Sequence, residues 1–448
     1  MSRRRELGDA PAVAADPLPL DEEQGREGIF ASLRLRDYRL LWLGQSCHAA
    51  ALWMEHIARP WLVLLLTADD PVHLGGVLAT QMLPQLLVGP WAGVVADWFD
   101  RRSIIVKTKR VALALNLVFA VLLLGGMVDL RAVYAFAFLR GAVMAFDQPA
   151  RQSLIAALVP RELLTNAVAL MSSTQNVMRI LGVTLGGTAI ALIGVPGAWV
   201  VITVLMVGAV ITTTRIQPLT ETAPGNQGGL RGMSRDLLAG ARFAAARPEI
   251  RGVLVLSLVF FSFGMAYMQV FMPLFARFEL NIGAPGLSLL SGSAAVGALS
   301  GALVVAGRRP RRLGAILPLV CAWLGLSLTC FALSWSAPRP YALVLAIFSI
   351  MMVGLAQTSY FSLSMSALLA ASPVEMRGRV ISLLSLDRAV SALGTSAAGF
   401  AAAALGTQAA QILYGVICIV AGLLVLGMAP GFRAFTIAAP DPSGSGAG

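Results

Sequence analysis

Charged residues are scarce in this sequence. Asp, Glu, Lys and Arg together make up 13% of the 448 residues, whereas hydrophobic residues make up 57%. A soluble domain usually carries about 25% charged residues, and the mean hydropathy here is +0.77. The shortage of charge excludes an ordinary soluble globular protein and predicts an all-α integral membrane protein.

Lysine is almost absent, since Lys107 and Lys109 are the only two. No GxxxxGK[ST] phosphate-binding loop occurs, so we expect no ATP hydrolysis and take the energy source to be an ion gradient. The four cysteines lie in apolar runs, and His48, His56 and His73 are scattered. Neither set has the spacing of a metal site. We therefore predict a protein that is not an enzyme and that has no cofactor and no metal.

The first 28 residues lack the apolar core that a secretory signal requires. They are polar and acidic, and we expect 1–28 to form a disordered cytoplasmic tail. Long apolar runs follow, each near the roughly 20 residues that cross a bilayer. We predict twelve transmembrane helices, near residues 40–66, 72–96, 103–127, 132–157, 166–192, 195–214, 251–276, 285–306, 313–334, 340–370, 380–405 and 408–428.

The twelve spans fall into two groups of six, which predicts an N-terminal bundle over 29–214 and a C-terminal bundle over 251–430. Residues 215–250 form a polar cytoplasmic linker, and 431–448 form a flexible tail. Within the linker, 230–246 has the pattern of an amphipathic helix, which we expect on the cytoplasmic membrane surface.

The positive charge is distributed asymmetrically. Outside the spans, every basic residue except Arg131, Arg277 and Arg339 falls on the face that carries both termini. Because basic loops stay cytoplasmic, both termini are predicted to be cytoplasmic. The formal net charge of +11 thus reports topology, and we expect the lipid bilayer rather than nucleic acid as the partner.

Two sequence echoes indicate an internal repeat. Gly89 and Gly93 precede Asp97 and paired arginines, and 208 positions later Gly297 and Gly301 precede Arg308 and Arg309. The segments VPRELLTNAV and SPVEMRGRVI match at an offset near 213. Duplicated six-helix halves are a transporter design in which the substrate binds between the halves.

The stretch GPWAGVVADWFDRR (89–102) resembles the signature loop of the major facilitator superfamily. The segments FASLRLRDYRLLWLGQ, DQPARQSLIAALVPRELLTNAVAL and MRGRVISLLSL resemble its drug- and siderophore-exporting branch, which includes enterobactin-exporter-like and macrolide-efflux-like proteins. The resemblance implies two pseudo-symmetric six-helix bundles that work by alternating access. It also implies a cytoplasmic gate motif, whose members here are Gly89, Gly93, Asp97, Arg101 and Arg102.

The sequence departs from this resemblance in the fifth span. Exporters of the superfamily often carry Gly-Pro-x-x-Gly-Gly there, whereas this chain has Val183 at the proline position, followed by Gly186 and Gly187. The small-residue face is kept, but the proline kink is not.

Ionisable side chains inside the spans are the candidate coupling site. Glu55 and Arg59 are one helical turn apart, so we expect them to pair, with His56 beside them. Such residues usually face a cavity and function, although a buried structural ion pair is the alternative. The predicted proton-coupling candidates are Glu55, His56, Asp147 and Asp387.

The charge partners within the spans are predicted to be Arg59, Arg140, Arg179 and Arg388. Arg151 is a further possible partner for Asp97 or Asp147. A surface pair at the interface is the alternative for Asp387 and Arg388. Polar and aromatic residues in the middle spans are candidates for the substrate cavity, with packing or lipid contact as their alternative: Gln175, Asn176, Phe263, Tyr267, Gln269, Gln357, Tyr360 and Phe361.

Together these features predict a proton-coupled exporter of small amphipathic molecules such as drugs or siderophores. We expect a monomer in a bacterial inner membrane. A facilitator or importer with the same fold and a lipid or lysophospholipid flippase are the alternatives. The sequence sets neither the substrate nor the proton stoichiometry.

Overall fold

The computed structural model describes residues 30–98, 100–217, 241–308, 312–338, 341–373, 380 and 393–436. Within its helices, the side chains at 89–98, 101, 148, 149, 152, 153, 156, 161 and 165 lie outside the description. The predicted tail 1–28 and most of the predicted linker helix 230–246 also lie outside it. Of that linker helix, residues 241–246 are described, and they are helical.

The first half contains six consecutive helices. A short 3-10 turn, Ala31–Arg34, precedes α1 (Arg36–Leu66), α2 (Pro71–Trp98), α3 (Arg101–Leu124) and α4 (Leu130–Leu158). The segment Arg161–Thr214 is interrupted at Gly194, where φ is 70°, so it comprises α5 (161–193) and α6 (195–214). A positive φ is freely available only to glycine, which explains the residue at this bend.

The second half repeats this order. Helix α7 begins at Pro248 and ends at Glu279, with π-helical stretches at Tyr267–Phe271 and Phe275–Glu279. The helices that follow are α8 (Gly283–Arg308), α9 (Leu313–Leu333), α10 (Tyr341–Ala371), the described part of α11 (Leu393–Leu405) and α12 (Thr407–Met428). These bounds agree with the predicted spans to within a few residues, except at α11, where most of 374–392 is outside the description.

Local chemistry fixes several helix ends. Asp100 accepts hydrogen bonds from the backbone N–H groups of Arg102 and Ser103 at the start of α3, and Asp129 accepts one from Ala132 at the start of α4. Both are N-caps, which satisfy backbone donors that have no partner inside the helix. Gly406, with φ of 84°, separates α11 from α12.

The composition of the helices suits a bilayer. Among the described residues, seven helical segments are long and apolar enough to cross a membrane, and the longest, Glu162–Thr214, contains both α5 and α6. Helices α3 and α4 are not among the seven, and they carry several of the chain's charged residues, including Lys109, Arg140 and Asp147. The side chains of these charged residues are buried inside the protein.

Glycine-mediated contacts recur in the two halves at one offset. Gly141 of α4 lies against the backbone of Gln81 of α2, and Gly354 of α10 lies against the backbone of Ala294 of α8. Each residue of the second pair is 213 positions after its counterpart in the first. No side chain heavier than hydrogen fits at either glycine, so the helix backbones approach closely.

A second glycine pair has nearly the same offset. A Cβ built at Gly182 of α5 would lie 2.6 Å from the carbonyl oxygen of Ala50 in α1, and one at Gly394 of α11 would lie 2.6 Å from that of Ser262 in α7. Gly394 is 212 positions after Gly182, and Ser262 is 212 positions after Ala50. The packing of α1 on α5 and of α2 on α4 is thus repeated by α7 on α11 and α8 on α10, which is the pseudo-symmetry that the sequence echoes predicted.

The helices alternate in direction, so each bundle has two faces. We call the face at residues 67–70, 280–282 and 406 the outer face, and the face at residues 100, 159–160 and 372–373 the inner face, following the orientation that the arginine asymmetry predicts.

Candidate functional site

Glu55 lies in a buried ion cluster in the first half. Its side chain is 2% exposed, with Oε1 3.2 Å from the Arg59 guanidinium and Oε2 3.2 Å from Nε of Arg140 on α4. The predicted pairing of Glu55 with Arg59 is confirmed, and Arg140 is a second partner from another helix. One carboxylate therefore faces two guanidinium groups inside the bundle.

The cluster extends to a third helix. Arg59 donates a hydrogen bond of 2.6 Å to Oε1 of Gln81 on α2, at the level where Gly141 lets α4 approach Gln81. Helices α1, α2 and α4 are therefore held together by one charged network. His56 is within 2.7 Å of the Leu52 carbonyl oxygen through Nδ1, and its ring lies against Trp53, so it bonds to its own helix rather than to Glu55.

Asp147 is in a second cluster closer to the inner face. Its carboxylate is 3.0 Å from Nζ of Lys109 on α3 and 3.7 Å from Nε of Arg151, one turn along α4. Lys109 is also 3.4 Å from Oε1 of Gln45, and His48 is close enough to interact electrostatically with both charges. The suggested Asp147–Arg151 pair is confirmed.

Lys109 is an intramembrane charge that sequence reasoning missed. It belongs to an arginine- and lysine-rich run at the start of α3, but its side chain is only 2% exposed. It turns into the bundle because Asp147 supplies the counter-charge. The spacing along α3 is the signal that was missed, since Lys109 lies more than two turns inside the helix that begins at Arg101.

The predicted gate motif is described only in part. The side chains of Asp97 and Arg101 lie outside the described set, as do Gly89 and Gly93 beyond their helical backbone. Arg102 donates to the carbonyl oxygens of Ile216 (2.5 Å) and Thr214 (2.9 Å) at the end of α6. Among the residues that the structure describes, Arg102 therefore bonds to the first half. Asp387 and Arg388 also lie outside the described residues.

An ion pair joins the two halves at the outer face. The guanidinium of Arg277, at the end of α7, lies 3.1 Å from Asp69 in the α1–α2 turn and 5.7 Å from the ring centroid of Trp61. Sequence reasoning assigned no role to either charged residue. The sequence offered one clue, because Arg277 is one of the few basic residues predicted on the outer side of the membrane.

Small residues bring the halves together near the same face. Gly187 of α5 packs against Ser288 of α8, whose hydroxyl donates to the Val183 carbonyl oxygen at 3.3 Å. Gly75 of α2 lies against Gly399 of α11, with a Cβ at Gly399 placed 2.6 Å from the Gly75 nitrogen. Each contact is within about 10 Å of the outer helix ends, at 1.5 Å per residue. Of the small residues predicted on α5, Gly187 thus makes an inter-half contact, whereas Gly182 and Gly186 lie against α1 within the first half.

A narrow pocket, whose cavity volume is about 10 Å³ in this conformation, lies between the halves below these contacts. It is lined by Arg179, Val183, Tyr267, Met268, Met272, Ser291, Ala294, Ala295 and Gln357. Tyr267 donates a hydrogen bond of 3.3 Å to Oε1 of Gln357. The pocket thus brings together three predicted residues from three helices. Arg179 was predicted as an intramembrane charge, and Tyr267 and Gln357 were predicted for the substrate cavity.

The other cavity candidates lie elsewhere. Tyr360 is fully buried, stacks on Phe260 at 3.9 Å and bonds to Ser257. Phe263 packs edge-on against Tyr414. In this conformation these two side chains therefore pack inside the second half.

Four further candidates do not line the pocket. Phe361 is 41% exposed, and Asn176 is exposed and donates to the Ser172 carbonyl oxygen. Gln269 is half-buried. Gln175 is half-buried one turn before Arg179, and its Nε2 finds no acceptor among the described residues.

Two pseudo-symmetric helical bundles, joined near one membrane face around a pocket of polar and apolar side chains, define a multi-pass membrane transporter with the major facilitator fold. A likeness to the crystal structure of the nucleoside transporter NupG agrees with this fold, with a TM-score of 0.70 over 88% of this chain and 98% of that one, at 11% identity. The chain belongs to the family described as transmembrane secretion effector, whose model matches residues 27–438.

Relatives of known name are exporters or transporters of small molecules. The chain is 28% identical over 145 residues to the staphyloferrin A transporter of Staphylococcus aureus, covering 32% of this chain and 36% of that protein. It is 27% identical over 318 residues to macrolide efflux protein A of Enterococcus faecalis, covering 67% of this chain and 92% of that protein. The match thus spans about a third of the first relative and most of the second.

Proposed function

We propose that this protein is a proton-coupled exporter of small amphipathic molecules, working by alternating access in a bacterial inner membrane with both termini in the cytoplasm. The observation that carries the proposal is the inter-half pocket, beneath contacts between the halves at the outer face. Two polar contacts join the halves at this face: Arg277 pairs with Asp69, and the Ser288 hydroxyl donates to the Val183 carbonyl oxygen.

The outer contacts define the step that the transport cycle must reverse. In this conformation the pocket is closed towards the outer face, so substrate would enter from the inner face. Release outside requires the Asp69–Arg277 pair and the Gly75–Gly399 contact to separate. A half-exposed ion pair and a glycine contact suit such a step, because each is worth little in isolation and can be remade.

Of the two predicted coupling carboxylates that the structure describes, Asp147 is the better candidate. Protonating Glu55 would leave Arg59 and Arg140 buried without a counter-charge, and arginine does not release its proton. Asp147 instead pairs with Lys109, an amine that can lose a proton, and it lies near the imidazole of His48. Its side chain is 11% exposed, against 2% for Glu55, so water reaches it more readily.

The direction and the cargo class are supported by the relatives. Macrolide efflux protein A is named for export and the staphyloferrin A transporter for a siderophore. The pocket agrees with an amphipathic cargo, since Met268, Met272 and Val183 offer apolar contact beside the polar groups of Arg179 and Gln357.

Transport into inside-out membrane vesicles tests the proposal. Vesicles containing the protein, energised to an acidic interior, would be offered a macrolide and staphyloferrin A as labelled substrates. Proton-coupled export predicts accumulation above the outside concentration for at least one of them, abolished by a protonophore. Uptake that only equilibrates, or that is indifferent to the protonophore, would instead indicate a facilitator.

A further inference from the structure

In the part of the chain that the structure describes, three nitrogen donors on α1 and α5 are buried without an acceptor. They are Nε1 of Trp53, Nε2 of Gln175 and Nε of Arg179. Gln175 is one helical turn before Arg179, and the Arg179 guanidinium lies 5.8 Å from the centroid of the Trp53 ring. A buried N–H group without an acceptor is costly, so three of them on adjoining helices call for an acceptor-rich group from elsewhere.

Arg179 is half-buried, and it differs from four other cations inside the first half. Arg59, Arg140, Lys109 and Arg151 each have a carboxylate within ion-pair distance. In the part of the chain that the structure describes, Arg179 has none. A guanidinium inside a membrane protein without a counter-charge is unfavourable, and such residues commonly mark a substrate path.

The guanidinium also lies where cargo would bind. Arg179 is on the first-half wall of the inter-half pocket, and Tyr267 and Gln357 are on the second-half wall. Because Tyr267 donates its proton to Gln357, the hydroxyl oxygen and the amide are already oriented. The free donors are therefore concentrated on the Arg179 side, and the methionines Met268 and Met272 offer a deformable apolar surface beside it.

We propose that the cargo carries a carboxylate, which binds Arg179 while the apolar body of the molecule packs against the methionines. This inference rests on the proposed function, because it assigns the chemical class of the exported molecule. A carboxylate supplies several acceptor positions and one negative charge, which match both the free donors and the unpaired guanidinium.

Binding of two nearly isosteric probes tests the inference. The purified protein in phosphatidylcholine nanodiscs would be titrated calorimetrically with 1-naphthylacetate and with 1-naphthylacetamide, which differ in charge but little in shape. We expect the acid to bind at least about tenfold more tightly than the amide, as a charge-assisted hydrogen bond provides. Arg179→Gln should remove that preference, and Arg179→Lys should keep part of it because the charge remains.

A matched control removes a positive charge elsewhere. Arg131 is exposed at the outer end of α4, so Arg131→Gln should leave the acid-to-amide ratio unchanged. The inference is overturned if the wild-type protein binds the acid no more tightly than the amide, or if Arg131→Gln lowers the ratio as much as Arg179→Gln. The wild-type comparison decides the matter even if Arg179→Gln does not fold.

The outcome is separable from that of the proposed function, because calorimetry uses no gradient. A charge preference that depends on Arg179, together with vesicles that show no proton-driven accumulation, would refute the export mechanism and support the binding site. Proton-driven accumulation together with equal binding of the two probes would refute the binding site alone.

Discussion

Replacing Glu55 with glutamine should destabilise the first half substantially. The carboxylate is 2% exposed and lies 3.2 Å from each of two guanidinium groups, those of Arg59 and Arg140. Glutamine has nearly the same shape, so the packing is kept and the charge is lost. Two buried guanidinium groups then face each other without compensation, and removing one partner of a buried pair typically costs about 3–5 kcal/mol.

A double variant separates charge from shape. Glu55→Gln combined with Arg140→Gln removes one charge of each sign and restores the net charge of the cluster, leaving Arg59 with Gln81. We expect it to recover about 1–3 kcal/mol relative to the single variant, the usual range of coupling between residues in one network.

Denaturant unfolding in mixed micelles, followed by tryptophan fluorescence, measures both effects. Glu162→Gln is the control, because Glu162 is an exposed carboxylate at the start of α5 and its loss should cost about 1 kcal/mol or less. The reasoning is refuted if Glu55→Gln unfolds with the free energy of the wild-type protein, or if the double variant is no more stable than the single one.

Two further predictions concern closure of the outer face. Arg277→Gln removes the pair with Asp69, whose side chains are 37% and 24% exposed; because such a pair is worth about 1 kcal/mol or less, the outward-open population should rise by no more than about fivefold. Double electron–electron resonance between spin labels on the outer ends of the two halves would measure this rise. An unchanged distance distribution would show that Arg277 does not stabilise the closed outer face. Gly75→Ala places a methyl group against the Ser396 carbonyl oxygen, so it should prevent α2 and α11 from meeting and should hold the protein outward-open. Gly292→Ala is the matched control, because nothing lies within 4 Å of a Cβ there, and equal transport by the two variants would contradict the close packing.

The helices and their order were predictable because a bilayer imposes a simple rule. Each crossing needs a long apolar run, so α1 (Arg36–Leu66) and α12 (Thr407–Met428) could be located from hydrophobicity alone. The pairing of Glu55 with Arg59 was equally predictable, because it depends only on the separation of one turn within one helix.

Contacts between helices were not predictable in the same way. Arg140 is 85 residues from Glu55, and Asp147 is 38 positions from Lys109. Only the packing of α4 against its neighbours brings them together. The same limit explains the aromatic candidates, because residue type alone does not tell whether Tyr267 faces the pocket while Tyr360 stacks on Phe260.

The outer ion pair shows a further limit. Asp69 has φ of 72°, a conformation uncommon outside glycine, asparagine and aspartate. It is in a short turn whose geometry places the carboxylate beside Arg277. A sequence pattern can predict such a turn, but it does not predict which residue the Asp69 side chain contacts.

Proton coupling through Asp147 is tested by transport in the inside-out vesicles with one carboxylate neutralised. Asp147→Asn should abolish accumulation driven by the acidic interior while keeping exchange of labelled for unlabelled substrate, because binding and alternating access remain. Asp129→Asn should behave as the wild-type protein, since Asp129 is an exposed helix cap and asparagine caps equally well. If Asp147→Asn accumulates substrate as well as the wild-type protein does, the protons are not coupled through Asp147.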